Sequence, residues 1–163
     1  MSETGKINVG IGFATGRKSF QKILKTYVYN WKESGLTGKE SISLNLFVAF
    51  DLKYSNTKST DYTNVKKSVL DLVESSHFIG TQTIDHEIDH LVNEKIISRK
   101  EARLFFDRGY AGKRNAVLYY AIKNKMDHLV FLDDDEYPVA VTDSLSTVLW
   151  GGQHVLSTHL KHI

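Results

Sequence analysis

This sequence predicts an α/β fold with a largely parallel sheet, on three observations. Short β-rich apolar runs alternate with segments whose apolar residues recur at the helical period. The run at residues 42–51 (ISLNLFVAFD) turns continuously apolar near its end, as a strand covered on both faces does. Three polar features, the loop ATGRKS, Asp51 and the acidic residues 133–136, each follow such a run directly. Parallel sheets bind their ligands there, beyond the carboxyl ends of the strands.

Taken in order, residues 6–13 (KINVGIGF) read as the first strand and run into ATGRKS. Phe20, Ile23, Leu24, Tyr27, Val28 and Trp31 then make one apolar stripe at helical spacing. Ser19 is the expected N-cap of that helix, and Gly35 lies just past its end. After the second strand, residues 53–64 (KYSNTKSTDYTN) form a polar loop long enough to suggest mobility or a ligand role. Val65, Val69, Leu72 and Val73 restore helical spacing, and residues 77–83 (HFIGTQT) read as a third short strand. Two helical segments follow, the second opened by Ser98 with Glu101 three residues on, a capping box. Gly109 and Gly112 are expected to break the chain before a helix over 115–126. Residues 128–132 (HLVFL) then form the last strand and end directly in Asp133, Asp134, Asp135 and Glu136. No repeat or linker divides residues 1–163, so a single domain is expected.

Composition excludes several function classes. Apolar residues are 41% and charged residues 25%, with one Pro, which suits a packed soluble domain rather than a disordered chain. No Cys is present, so there is no disulfide framework, thiolate metal site or Cys nucleophile. The balance of 21 Lys and Arg against 19 Asp and Glu gives +2, too little for bulk nucleic-acid or membrane binding. No apolar run reaches the length of a membrane span, and MSETGKINVG lacks a signal-peptide pattern. A cytoplasmic location is the expectation.

Four constellations bear on chemistry. The four carboxylates at 133–136 repel one another; either a divalent cation bound to phosphate oxygens relieves this, or the run is a solvated acidic turn near Pro138. GYAGKRN, residues 109–115, offers backbone N–H groups at a helix start together with Lys113 and Arg114, as a phosphate site would. It otherwise reads as a plain loop with solvent-facing basic residues. It is not a Walker loop, since Asp107 stands where the first Gly belongs and Arg114 replaces Ser or Thr. Gly10 to Gly16 (GIGFATG) is one residue too long for the dinucleotide fingerprint and reads as a βα connection, with Arg17 and Lys18 in reach of a base or phosphate. His86-Glu87-Ile88-Asp89-His90 matches H-E-x-x-H. Helical spacing, however, puts Ile88, Leu91, Val92 and Ile96 on one face and both histidines opposite, as on a surface amphipathic helix. No G-x-S-x-G occurs, and no Ser–His–Asp set is identifiable.

In this order the features resemble the nucleotide-sugar half of a GT-A glycosyltransferase, specifically the family 2 group. INVGIGFATGRKSF, LFVAFD, GYAGKRNAVLYYAI and HLVFLDDDEYP carry the resemblance, over roughly residues 6 to 138. The basic helix start, one helix, and an apolar strand ending in D-x-D are its most specific part. The resemblance implies a three-layer, Rossmann-like GT-A fold with helices on both faces of a mostly parallel sheet. It implies transfer of a sugar from a UDP- or GDP-type donor to an unknown saccharide or other hydroxyl acceptor. Asp135, with Asp133, would bind Mn²⁺ or Mg²⁺ bridging the diphosphate, and Asp133 would also lie near the ribose. Asp134 and Glu136 would support the same metal. Asp51 corresponds to the acid that reads the nucleobase, Lys113 and Arg114 to the position steadying nucleotide or phosphate, and Arg17 to the edge of the nucleotide pocket.

The chain departs from the family in its longer, more helical stretch at 85–107 and in lacking the proline of the usual first loop. Members normally carry an acceptor-binding half, with the catalytic base, after the position of Pro138. Here the expectation is either a donor-binding portion truncated before that half or an active site completed elsewhere, with no base assigned; Asp143 is the only carboxylate that follows. Trp150, in VLWGG, is then either core or a face left bare, which would favour an oligomer. Two other functions stay open: a zinc metallopeptidase using His86, Glu87 and His90, and a non-catalytic nucleotide-binding α/β module.

Overall fold

The computed structural model describes residues 5–106, 109–143 and 148–160; the side chains of 139–143 and 148–152, Trp150 among them, lie outside what is described. Four strands, β1 (Ile7–Thr15), β2 (Ile42–Phe50), β3 (Ser75–Ile79) and β4 (His128–Leu132), form one parallel sheet in the order β3-β2-β1-β4. A two-stranded antiparallel sheet, β5 (Val139–Asp143) with β6 (Val148–Gly152), follows. The class predicted from the alternation of elements is thus observed.

Alternation of side chains along β1 and β2 divides the core in two. Val9, Ile11 and Phe13 of β1 join Leu44, Leu46, Val48 and Phe50 of β2 on one face. Helix α1 (Phe20–Glu33) lays its whole apolar stripe there, from Phe20 to Trp31. The short helices α2 (Thr60–Thr63), α3 (Lys67–Leu70) and α7 (Val155–His159) add Tyr62, Val69 and Leu156. Each large side chain so buried stabilises the fold by roughly 1.5–3 kcal/mol. Ser19 does hold the N-cap position, but its side chain makes no cap bond. The helix ends as its sequence indicates: Gly35 takes φ +68°, and the Leu36 N–H reaches back to the Trp31 carbonyl at 2.9 Å.

The opposite face receives α4 (Thr81–Asn93), α5 (Arg99–Phe105) and α6 (Tyr110–Lys123), through Ile84, Ile88, Leu91, Ala102, Ala116, Val117 and Ala121. Gly10 and Gly12 belong to β1 itself, not to a connecting loop. A Cβ on Gly12 would stand 2.5 Å from Val117 Cγ1, so a bare strand position is what lets α6 approach β1.

Other elements also differ from expectation. The third strand runs over Ser75–Ile79, and Thr81 already belongs to α4, with Gly80 at its N-cap. Within the spacing of Val65 to Val73, only Lys67–Leu70 is helical. The polar loop is anchored at Tyr62, which stacks on Phe50 at 4.7 Å and shares a 2.8 Å hydrogen bond with Thr57. The capping box at Ser98 and Glu101 is present. Most important for the site, Gly112 does not break α6. The helix starts at Tyr110 behind Gly109, whose φ of +100° makes the entry turn, and Gly112 is buried within it.

Candidate functional site

Parallel pairing fixes which residues meet at the carboxyl end of the sheet. Phe13 stands opposite Leu132, and Thr15 opposite Phe50. The segments leaving β1, β2 and β4 therefore emerge together, and a cavity of about 600 Å³ opens between them. Four carboxylates, Asp51, Asp133, Asp134 and Asp135, line it together with two basic residues, Arg17 and Lys113. Of the site residues named from the sequence, Lys18, Arg114 and Glu136 do not line it.

The acidic run is not a row of equivalent carboxylates. Asp134 is buried, accepts from Thr15 Oγ1 at 2.5 Å, and accepts from Arg17 Nε at 3.2 Å. Arg17 also donates from Nη2 to Asp135 Oδ2 at 2.8 Å. Asp134 is thus a fastening between β1 and the turn after β4. Arg17, expected at the edge of the nucleotide pocket, spends its guanidinium on holding that turn. Asp133 accepts from the Tyr110 hydroxyl at 2.8 Å. Part of the repulsion that a cation was expected to relieve is therefore relieved by Thr15, Arg17 and Tyr110. Asp133 Oδ2 and Asp135 Oδ1 keep no protein donor among the described residues. Glu136 is exposed, and together with Asp133 and Asp135 it acts on Tyr27. Burial first, and those three charges second, push the Tyr27 hydroxyl up to about 12.

Among the described residues, no three His, Asp or Glu side chains converge into a metal cluster. Magnesium-type sites that bridge phosphates take only one or two carboxylates, with the remaining ligands from substrate and water. Two open carboxylate oxygens, in a cavity with two more acids than bases, fit that donor set.

Because α6 begins at Tyr110, the two basic residues of GKRN part company. Arg114 leans over the Phe131 ring at 4.3 Å and donates to the Tyr110 hydroxyl at 3.1 Å, so it meets Asp133 only through that tyrosine. Lys113, one residue earlier, turns inward. It is only 6% exposed, lines the cavity, and finds no ion-pair or hydrogen-bond partner for its ammonium group among the described residues. A solvent-facing Lys113 is thereby corrected. Asp51 accepts from its neighbour Lys53 N–H at 2.9 Å and stays half-buried at the rim.

Sequence reasoning missed Thr15, Tyr54 and Tyr110. Tyr54 is 69% exposed at the cavity mouth, and a Cβ on Gly16 would fall 2.5 Å from its Cβ. Tyr110 stands one turn before Arg114, and that spacing is a signal available once the helix start is known.

The H-E-x-x-H sequence lies on α4, with His86 and His90 exposed as expected. Glu87 is buried. It accepts from Lys123 Nζ through both oxygens at 2.7 Å and from the Tyr119 hydroxyl at 2.6 Å. A carboxylate tied this way pins α4 to α6 and faces away from water. Ile96, placed on the buried face by spacing, lies beyond the helix and is 63% exposed.

Among the described residues, no helix is long and apolar enough to cross a membrane. No family model matches the chain, and no curated protein or solved structure matches it either.

Proposed function

We propose that this chain is the donor-binding part of a metal-dependent glycosyltransferase of GT-A fold, taking a nucleoside-diphosphate sugar and passing the sugar to a hydroxyl acceptor. The observation that carries the reading is Lys113: a lysine only 6% exposed that lines a cleft beside D-x-D and meets no protein anion among the described residues. A cation held on the cleft wall beside these carboxylates is placed to receive a phosphate.

In this reading Asp135 and Asp133 hold Mn²⁺ or Mg²⁺ through their open oxygens. When bound, the ion supplies Lewis-acid stabilisation of the departing nucleoside diphosphate. Lys113 donates to the diphosphate as negative charge grows on it. Asp51, at the end of β2, accepts from the nucleobase. Thr15, Arg17 and Tyr110 hold the acidic turn in place, so that its open oxygens stay aimed into the cleft.

Calorimetric titration with nucleoside diphosphates, with and without Mn²⁺, tests this. Binding that requires Mn²⁺ and is lost in Asp135→Ala is expected. Binding indifferent to both would make the chain a non-catalytic nucleotide-binding module, and absence of binding would overturn the reading.

A further inference from the structure

A second cavity, of about 530 Å³, adjoins the first and shares Asp51 and Lys113 with it. It lies on the β2 and β3 side, between the strand ends and helices α4 and α5. Ile84, Ile88 and Phe106 give it an apolar floor. Above that floor stand two carboxylates, Asp51 and Asp85, and the basic side chains of Lys53 and Arg103. The α4–α5 stretch that exceeds the family pattern builds most of this wall.

We infer that this cavity receives the donor's base and that the base is guanine. The inference rests on the donor-site reading: with the diphosphate at Asp133 and Asp135, and Asp51 lying towards β2, a nucleotide extends from β4 towards β3. The chemistry of the wall selects among bases. Guanine presents adjacent N1–H and 2-amino donors beside the O6 acceptor, which suits two carboxylates with a cation next to them. Uracil offers one N–H between two carbonyls and leaves one of the carboxylates without a donor. An apolar floor suits the flat purine face. Asp85 is the discriminating residue. It is exposed, one turn into α4, and carries no hydrogen bond among the described residues, so its replacement leaves the fold intact.

The test is calorimetry in Mn²⁺ buffer with GDP, UDP and inosine diphosphate, which lacks the 2-amino group, on wild type and Asp85→Asn. Binding of GDP about tenfold or more tighter than either competitor is expected, with Asp85→Asn erasing most of that gap while Mn²⁺-dependent binding persists. Mn²⁺-dependent binding of GDP and UDP with equal affinity, or a preference for UDP, would overturn the guanine assignment and leave the donor site standing. A GDP preference untouched by Asp85→Asn would overturn the assignment of Asp85 and its cavity. Failure of all three nucleotides, with and without Mn²⁺, would overturn the donor-site reading and this one together.

Discussion

The two ends of α6 each bring a lysine against the same core, and the lysines meet opposite fates. At the far end, Lys123 gives both of its short contacts to the buried Glu87 of α4. At the near end, Lys113 is more deeply buried than Lys123 and meets no protein anion among the described residues. A buried charge with its partner in the chain is architecture, since removing either half leaves the other stranded. A cation that lines a cleft and has no partner among the described residues marks a candidate site, because a ligand's anion can supply the partner. Burial alone does not separate the two cases; the partner does.

The sharpest way to break that contrast is Lys113→Met. Nucleoside diphosphate affinity should fall at least about 100-fold, near 3 kcal/mol, while the urea unfolding midpoint holds because no partner of Lys113 among the described residues is stranded. A variant that binds normally, or that unfolds much earlier, would make Lys113 a structural residue. Lys123→Met should do the reverse. It strands Glu87 and costs roughly 2–4 kcal/mol of stability, the half-exposed lysine holding the figure below that of a fully buried pair. Calorimetry should find nucleotide affinity unchanged.

The same pair predicts a pH dependence. Burial pushes the Glu87 carboxyl up, but hydrogen bonds from Lys123 and Tyr119, with the Lys123 charge, outweigh it and hold the group below its ordinary 4.5. Its stabilisation is therefore complete above that value and is lost as pH falls through the lower native one. Without Lys123 two of the influences that lower the carboxyl are gone, so this stabilisation shrinks. Urea midpoints taken from about pH 5 to about pH 3 should converge between wild type and Lys123→Met.

Between the two lysines, α6 rests on bare strand. Gly12→Ala should cost about 1–3 kcal/mol by forcing Val117 off β1, seen as an earlier thermal unfolding transition and, as α6 shifts, a weaker Lys113 site. The smallest effect belongs to Ser98→Ala, which opens the capping box of α5 for about 1 kcal/mol and should leave nucleotide affinity untouched in the same titrations.

Periodicity made much of this legible. The stripe from Phe20 to Trp31 and the apolar runs of β1, β2 and β4 depend on local spacing, and they stand where spacing put them. The start of α6 was misread because glycine costs about 1 kcal/mol inside a helix, so Gly112 looked like a break. Packing overrides that local preference and turns Lys113 inward. Three strand ends could be named as a ligand site from sequence, yet the split of roles within the acidic run could not. Asp134 is set apart from Asp135 by its burial and by Thr15, a partner 119 residues distant in the chain. The cavity shaped by α4 and α5 was equally hidden, since α4 read as a surface helix and α5 only as a capped helical segment.

That separation has a consequence in time. β1 meets β2 across 35 residues, Val9 to Leu44, but meets β4 across 119, Val9 to His128. Closing the longer loop costs roughly 1 kcal/mol more entropy, and such distant pairings form late. While a chain is still folding, β1, β2 and α1 can condense before Asp133 to Asp135 have any neighbours. The acidic turn acquires its fastening to Thr15 only when the last strand docks. Competence to hold a ligand therefore arrives with completion of the sheet, and a chain stalled short of that step presents the carboxylates without the geometry that gives them a use.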